Sequence, residues 1–389
     1  MYPNTESKSK DSHNKICIIY NSAQLYREGI WEELSNSDTF DFDIFCDYTK
    51  KYGVKQIDKK KIIGFNKKDG HLKIYPIIKN LYAKNILIWQ KKSLRLMMSK
   101  KYSIYIILGD AYCLSNWVLL VLSKLLNKKT IVWTHGLYGK ERLIIKYIRL
   151  SMIKLSSAAL IYNQYSTNII SKYINQKKLF VVNNSLNHIS NTKELNKLIS
   201  NESNEKSDIF TLCFSGRLTK RKKLYLAIKA VHILKKEGII VKLYIVGGGS
   251  EKQNLISLAK NLGVDKAVIF KGELYGSETN KIIFNSDLSI SPGHVGLFAI
   301  HSMSFGTPVL THNNFKRQSP EFEAIIPKMT GDFFLENNVH DLVKKIKFWY
   351  NKSDKILNRE NCLRRVDKFY TPNYQKKIIE KSINYVKKN

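Results

Sequence analysis

Ser289-Ile290-Ser291-Pro292-Gly293-His294-Val295-Gly296-Leu297-Phe298-Ala299-Ile300-His301, closed by Gly306-Thr307-Pro308-Val309, is the stretch on which the reading of this chain turns. It reads as the end of a buried strand (287–291), a glycine-bearing loop after Pro292, and a helix from about Gly296 to Phe305 with Gly306 at its stop. Gly293 and Gly296 let the backbone come close to a ligand. A helix starting there aims free N–H groups and its positive dipole end outward, which suits a phosphate or diphosphate. Glycines at a strand-to-helix junction are also ordinary turn chemistry, so the stretch acquires meaning from what surrounds it.

Upstream of it, strand and helix patterns alternate. Ile209 to Ser215 is a strand, followed by Gly216-Arg217-Leu218-Thr219-Lys220-Arg221-Lys222 and a helix from Leu224 to Lys236; Val241 to Val246 is a strand running into Gly247-Gly248-Gly249. Further strands are read at 267–271 and 308–311. The first half shows the same alternation, with apolar runs at 16–20, 43–46, 62–65, 104–108, 130–133 and 179–182. Such alternation predicts doubly wound parallel sheets, whose ligands bind beyond the carboxyl ends of the strands. Arg217 and Lys222, emerging from one such end, are placed to clamp a diphosphate.

A chain of 389 residues is too long for one compact core and predicts two domains. The expected division is a polar tail (1–15), a first domain (16–189), a polar linker (190–208), a second domain (209–365) and a terminal helix (366–389) with Tyr370-Thr371-Pro372 as its start signal. Five scattered cysteines without CxxC pairs argue for reduced, buried thiols and against a disulfide frame or zinc site. The first fifteen residues lack the apolar core of a signal peptide, and the longest apolar run, 117–126, is broken at Ser123-Lys124, short of the ~20 residues a spanning helix needs. A cytoplasmic protein, peripheral to the inner face of the plasma membrane, is the expectation.

The formal net charge of +33 attracts polyanions: nucleic acid, an anionic membrane face or phosphorylated substrates. Residues 50–101 alone hold sixteen Lys or Arg against two acids. The chain is also rich in Lys, Asn and Ile together, as an AT-rich genome produces whatever the function. No recognition motif or aromatic platform supports specific nucleic-acid binding. Between 140 and 173 apolar, tyrosine-bearing and basic residues interleave, a pattern that either rests on anionic lipid or belongs to solvated core helices.

Two strand ends in the first half carry chemistry. Asp110 follows the strand at 104–108, as a carboxylate available to a reaction or as a cap of the next helix. His135 follows the next strand in Thr134-His135-Gly136-Leu137-Tyr138-Gly139, where Gly136 is read as leaving room for a substrate beside the ring. Arg27, near the first helix, either touches a ligand or ends on solvent.

Taken in order, Gly216-Arg217-Leu218 with Lys222, Val246-Gly247-Gly248-Gly249, Phe270-Lys271-Gly272, Ser291-Pro292 with its glycine loop, and Ser304 to Val309 resemble the carboxyl half of family 4 glycosyltransferases. The first half is compatible: Thr134-His135-Gly136 resembles that family's histidine loop, and Val181-Val182-Asn183-Asn184 its strand-end asparagine. The resemblance implies a GT-B architecture of two Rossmann-like α/β domains facing across a cleft. It also implies a nucleotide-sugar donor, UDP- or GDP-linked, no metal or other cofactor, and retention at the anomeric carbon. Carried over by position, Arg217 and Lys222 would hold the diphosphate beside Gly216, with the amides around Val295, Gly296 and Leu297, and Gly293 and His294 would line the donor site. Gly272, Glu273 and Leu274 would receive the base, and His135 would contact the transferred sugar. Arg27, Asp110 and Tyr138 are candidates for the acceptor side.

One departure stands out. The family's two glutamates, eight positions apart, are replaced by Gly293 and His301. The first normally recognises donor-sugar hydroxyls, so either Glu321 or Glu323 of Pro320-Glu321-Phe322-Glu323 takes over a sugar hydroxyl or both only cap the helix that follows, and His301 can still meet a ribose hydroxyl. The pattern resembles a bacterial subgroup that builds surface polysaccharides such as capsule, O-antigen or exopolysaccharide on lipid-linked acceptors. A sugar-nucleotide epimerase of the same fold, a non-catalytic sugar-nucleotide sensor and a basic nucleic-acid-binding protein are the alternatives.

Overall fold

The computed structural model describes residues 14–48, 55–83, 87–201, 209–352 and 354–389. They form two compact units, Met1–Val182 with Pro372–Asn389, and Asn183–Thr371. In the first, β1 (Lys15–Ser22), α1 (Glu28–Ser35), β2 (Asp41–Asp47) and β3 (Ile74–Tyr75) are followed by a two-stranded antiparallel hairpin, β4 (Lys79–Ala83) and β5 (Leu87–Lys91). The chain continues through α2 (Ser93–Met98), β6 (Ile104–Leu108), α3 (Leu114–Leu125), β7 (Lys129–Thr134), α4 (Leu143–Leu155), β8 (Ala158–Ile161), α5 (Gln164–Ile170) and β9 (Leu179–Val181). Apart from the hairpin the strands lie parallel in the order β3-β2-β1-β6-β7-β8-β9. Period-two alternation explains why β1 is apolar along its length. Ile16 and Ile18 face one core with Trp31 and Trp133, and Cys17 and Ile19 face another with Ile107 and Val132, so both sheet faces are covered.

The second unit holds α6 (His188–Ser200), β10 (Phe210–Ser215), α7 (Tyr225–Lys236), β11 (Val241–Val246), α8 (Lys252–Asn261), β12 (Val268–Gly272) and α9 (Ser277–Asn285). After these come β13 (Leu288–Ser291), α10 (Phe298–Ser304), β14 (Val309–His312), β15 (Gly331–Phe334), α11 (Val339–Asn351) and α12 (Lys355–Phe369). Its six strands are parallel in the order β12-β11-β10-β13-β14-β15. α13 (Pro372–Lys388) belongs to the first unit, where Ile379, Ile383 and Val386 complete the core beside Ile16 and Trp31. In each sheet the strand order reverses beside the first strand, at β1/β6 and at β10/β13. In sheets of this kind a ligand crevice forms above the strand ends at such switch points.

Three expectations are corrected. No strand runs through 62–65: Ile62 makes one isolated bridge to Leu72 after a short 3-10 turn (Lys59–Lys61) whose start is capped by Asp58, and the sheet edge is β3 instead. The stretch read as a linker begins with α6, which Asn187 caps by accepting from the amide of Ser190 and which buries Leu195 in the second unit's core. The units divide at Val182/Asn183, and 202–208, like most of the N-terminal tail, lies outside the described residues. Finally, Val366 to Phe369 is the last turn of α12; Pro372, without an N–H, opens a separate helix. All five cysteines are buried and free.

Candidate functional site

At the second unit's switch point, two loops are laced together. After β10 the chain makes a 3-10 turn, Lys220–Lys222, ending in left-handed Lys223 (φ 51°). The amide of Gly293 donates to the Lys222 carbonyl (2.9 Å) and that of His294 to the Arg221 carbonyl (3.3 Å). A Cβ on Gly293 would stand 2.0 Å from the Arg221 oxygen, so no side chain fits there. This explains physically why the expected glutamate is missing: the backbone of the 220–222 turn occupies its space. Lys222 closes the lacing, its Nζ donating to the carbonyls of His294 (2.5 Å) and Val295 (3.3 Å). Burial lowers the pKa of this ammonium, against the opposing pull of the Glu321 carboxylate, to about 8.

The helix-end anion site read from the sequence is not free. Val295 N donates to Gln318 Oε1 (3.0 Å) and Gly296 N to Ser319 Oγ (2.6 Å), and α10 starts only at Phe298. Those amides are consumed in holding the loop, with Gln318 also donating to Thr311 Oγ1 (2.8 Å). Gln318 and Ser319 were not singled out in the sequence; the signal available was their place directly before Pro320-Glu321. Glu321 itself is 5% exposed. One of its oxygens accepts from Asn184 Nδ2 (2.5 Å), while Oε2 is buried with no hydrogen-bond partner. An unmatched buried carboxylate oxygen costs stability and calls for a ligand or a charge nearby. Glu323, at the end of the same turn, is half-buried, and its carbonyl accepts from Arg365 (2.8 Å).

His301 points elsewhere in the same unit. Its Nε2 lies 2.7 Å from Asn280 Oδ1, and Asn280 Nδ2 donates to Glu194 Oε2 (2.7 Å). Burial lowers its pKa to about 4, so the ring is neutral and, with Nε2 donating to the amide, keeps an acceptor at Nδ1. Arg217 is exposed, free of the lacing that holds Lys222. Gly216 donates to the Val246 carbonyl (3.0 Å) and accepts close contact from Gly247, while Leu218 donates to the Gly248 carbonyl (2.8 Å), so the glycine run pins neighbouring strand ends together. Gly272 ends β12, and the exposed Glu273 carboxylate accepts from Tyr275 (3.2 Å), beside the half-buried Leu274.

The first unit's strand ends are built from rings. Arg27, 5% exposed, has its guanidinium carbon 4.7 Å from the Tyr20 ring, 5.1 Å from Trp133 and 5.6 Å from Tyr162, and it donates to the Tyr162 hydroxyl. Its Nε is buried without a partner. The His135 ring stacks on Tyr162 (4.6 Å) and lies 6.4 Å from Tyr138, with part of the residue open to solvent. Desolvation, reinforced by the positive charges of Arg27 and Arg149, lowers its pKa to about 4. Gly136 does not clear space for a substrate as expected: a Cβ there would meet Ser166 Oγ at 2.3 Å and Ile170 at 2.7 Å, so the glycine lets α5 pack against the loop. Asp110 holds the turn after β6 by accepting from Tyr112 N (3.0 Å); the N-cap position of α3 is Cys113. Among the described residues there is no cluster of three or more His, Cys, Asp or Glu that could hold a metal, and no helix long and apolar enough to cross a membrane.

Residues 196–365 match the family described as "Glycosyl transferases group 1". Among curated proteins, the chain is 29% identical over 208 residues to alpha-monoglucosyldiacylglycerol synthase of Streptococcus pneumoniae, covering 48% of this chain and 45% of that protein. It is 25% identical over 363 residues to Protein CapJ of Staphylococcus aureus, covering 85% and 89%. Among solved structures, the lipopolysaccharide outer core galactosyltransferase WaaB, in its apo form, superposes with a TM-score of 0.64 at 15% identity over 95% of this chain and 99% of that one. Anabaena Alr3699/HepE in complex with UDP-glucose gives 0.64 at 13% identity, over 95% and 99%. These structural likenesses carry the fold, GT-B, for the chain as a whole.

Proposed function

We propose that this chain, a glycosyltransferase of group 1 and of GT-B fold, is a family 4 enzyme that moves a hexose-type sugar from a UDP- or GDP-linked donor to a glycan acceptor held on a lipid, retaining the anomeric configuration and building a bacterial surface polysaccharide. The observation that carries the donor half is the laced Lys222–Gly293 crossing with the unpartnered Oε2 of Glu321 beside it. In this reading the diphosphate leaves as its bond to the anomeric carbon lengthens, and its growing charge is met by Arg217, which is free to close on it, and by Lys222, which is fixed. Glu321 accepts from a hydroxyl of the transferred sugar in place of the glutamate that Gly293 excludes. His135, neutral at working pH, is the first unit's contribution and offers a hydrogen bond to sugar or acceptor rather than a charge. No metal or other cofactor enters the reading.

The acceptor and the compartment rest on kinship. WaaB acts, by its description, on the lipopolysaccharide outer core, and the streptococcal relative makes a glucosyldiacylglycerol product. A lipid-linked acceptor, a protein on the cytoplasmic side at an anionic inner-membrane surface, and no specific nucleic-acid partner fit these together with the +33 charge. The test is metal-free calorimetry with UDP, GDP, CMP and their sugars. Tight binding of one nucleoside diphosphate is expected, with transfer slowed about 10²–10³-fold in Arg217→Ala. Binding of none of them, or an unaffected Arg217→Ala, overturns the donor site.

A further inference from the structure

The outward face of α4 is apolar where a solvated helix would be polar. Leu150, Met152 and Ile153 turn inward and are buried, whereas Leu143 (69% exposed), Ile144 (74%) and Tyr147 (58%) project outward, with Ile148 at the margin of the row. Their spacing, i, i+1, i+4 and i+5, puts them on one side of the helix's first two turns. α3, which packs against α4, carries a second outward row, Leu114 (43%), Val121 (51%) and Leu125 (76%), at spacings of seven and four. β6, β7 and β8 follow one another across the sheet, so right-handed crossovers set both helices on the same face of it. Single exposed apolar residues are ordinary; two adjacent rows are not.

The charge around the α4 row is of one sign. Residues 139–178 contain eight Lys or Arg and a single acid, Glu141. That carboxylate is spent, accepting from the amides of Tyr138 (2.6 Å) and Gly139 (2.9 Å) and from Arg149 (3.1 Å). Lys140 and Arg142 precede the row and are exposed, Lys146 sits within it with its ammonium over the Tyr173 ring (4.1 Å), and Lys154 ends the helix exposed. A protein partner of mixed charge would meet an unbalanced surface here. A sheet of negative charge with a greasy layer behind it would not.

We infer that α4, with the adjoining row of α3, is the face by which this protein lies on an anionic lipid bilayer, Leu143, Ile144 and Tyr147 entering the interface and Lys140, Arg142 and Lys146 meeting the headgroups. The inference deepens the lipid-linked-acceptor reading and rests on it for its purpose, not for its geometry. The first residue of the row stands eight positions after His135, so the docking helix and the ring cluster belong to one strand-end loop and the helix it opens.

The experiment is co-sedimentation of the full chain with vesicles of phosphatidylcholine alone and of phosphatidylcholine with a third phosphatidylglycerol, alongside transfer to a soluble oligosaccharide acceptor. Wild type is expected to sediment with the anionic vesicles only. The triple variant Leu143→Ser, Ile144→Ser, Tyr147→Ser keeps every charge and alters only exposed positions; its partition should fall at least tenfold, with melting temperature and transfer to the soluble acceptor unchanged. Undiminished sedimentation of that variant overturns the inference, because bulk charge alone then accounts for binding. Absence of wild-type sedimentation with either vesicle overturns it as well. Loss of transfer to every acceptor by a protein that still sediments as expected overturns the enzymatic reading and leaves the docking face standing.

Discussion

The two strand-end crevices solve different problems with different material. Above β10 and β13 the second unit brings backbones together: Gly293 lies against the Arg221 carbonyl, Lys222 is tied to two carbonyls, and Gln318 and Ser319 occupy the amides of Val295 and Gly296. Above β1, β7 and β8 the first unit brings rings together, with Arg27 caged by Tyr20, Trp133 and Tyr162 and His135 stacked at the rim. A backbone crossing tolerates no added atom, and a ring cluster tolerates exchange of similar shapes. On the proposed reading the backbone crossing would face the donor and the ring cluster the acceptor.

That contrast is broken most severely at Gly293. Gly293→Glu, which restores the glutamate of the resembled pattern, should abolish measurable transfer and cost roughly 3 kcal/mol of stability, since the Cβ alone displaces the 220–222 turn. Normal folding with raised activity would show that the lacing yields easily. Next comes Glu321→Gln, nearly isosteric. It keeps an acceptor for Asn184 but removes the charge beside Lys222, and kcat is expected to fall about tenfold or more with the melting temperature held or raised. Equal kinetics would reduce Glu321 to a structural residue.

The ring cluster is probed by pH. With its pKa near 4, His135 is neutral throughout the physiological range. Removing a neighbouring positive charge in Arg27→Gln should move that pKa upward, so the acid limb of the kcat/KM profile shifts toward neutrality, while Arg27→Lys leaves it nearly in place. Coincident limbs in all three proteins would uncouple Arg27 from His135. The smallest effect is on stability at His301. Its folded pKa of about 4 lies below the unfolded value near 6.5, so between those values the unfolded chain binds more protons, and stability falls as pH drops through that window. On the order of 1–3 kcal/mol is at stake, and His301→Gln should flatten the slope of melting temperature against pH there.

The fold was legible from Ile16 to Tyr20, Ile104 to Leu108 and Phe210 to Ser215 because strands buried on both faces write themselves as unbroken apolar runs. Where a run was short and flanked by lysines, as at 62–65, the same signal misled: a local cap at Asp58 won over strand pairing. Polarity misled in the other direction at α6, which is anchored by buried Leu195 with Leu198 packed beside it. Asn187 was the cap that could have announced it.

By itself the sequence determined the alternation of strand and helix, the places of the glycine-bearing turns at the strand ends, and a charge large enough to draw any anion. Those depend on local spacing and on composition. Which atoms remain available at the site was decided by the tertiary structure alone. The amides of Val295 and Gly296, free in the sequence reading, are claimed by residues more than twenty positions away; the second oxygen of Glu321, one carboxylate among many in the sequence, is left unclaimed. Hydrogen-bond supply and demand close over the folded chain as a whole, and no window of residues contains both sides of the account.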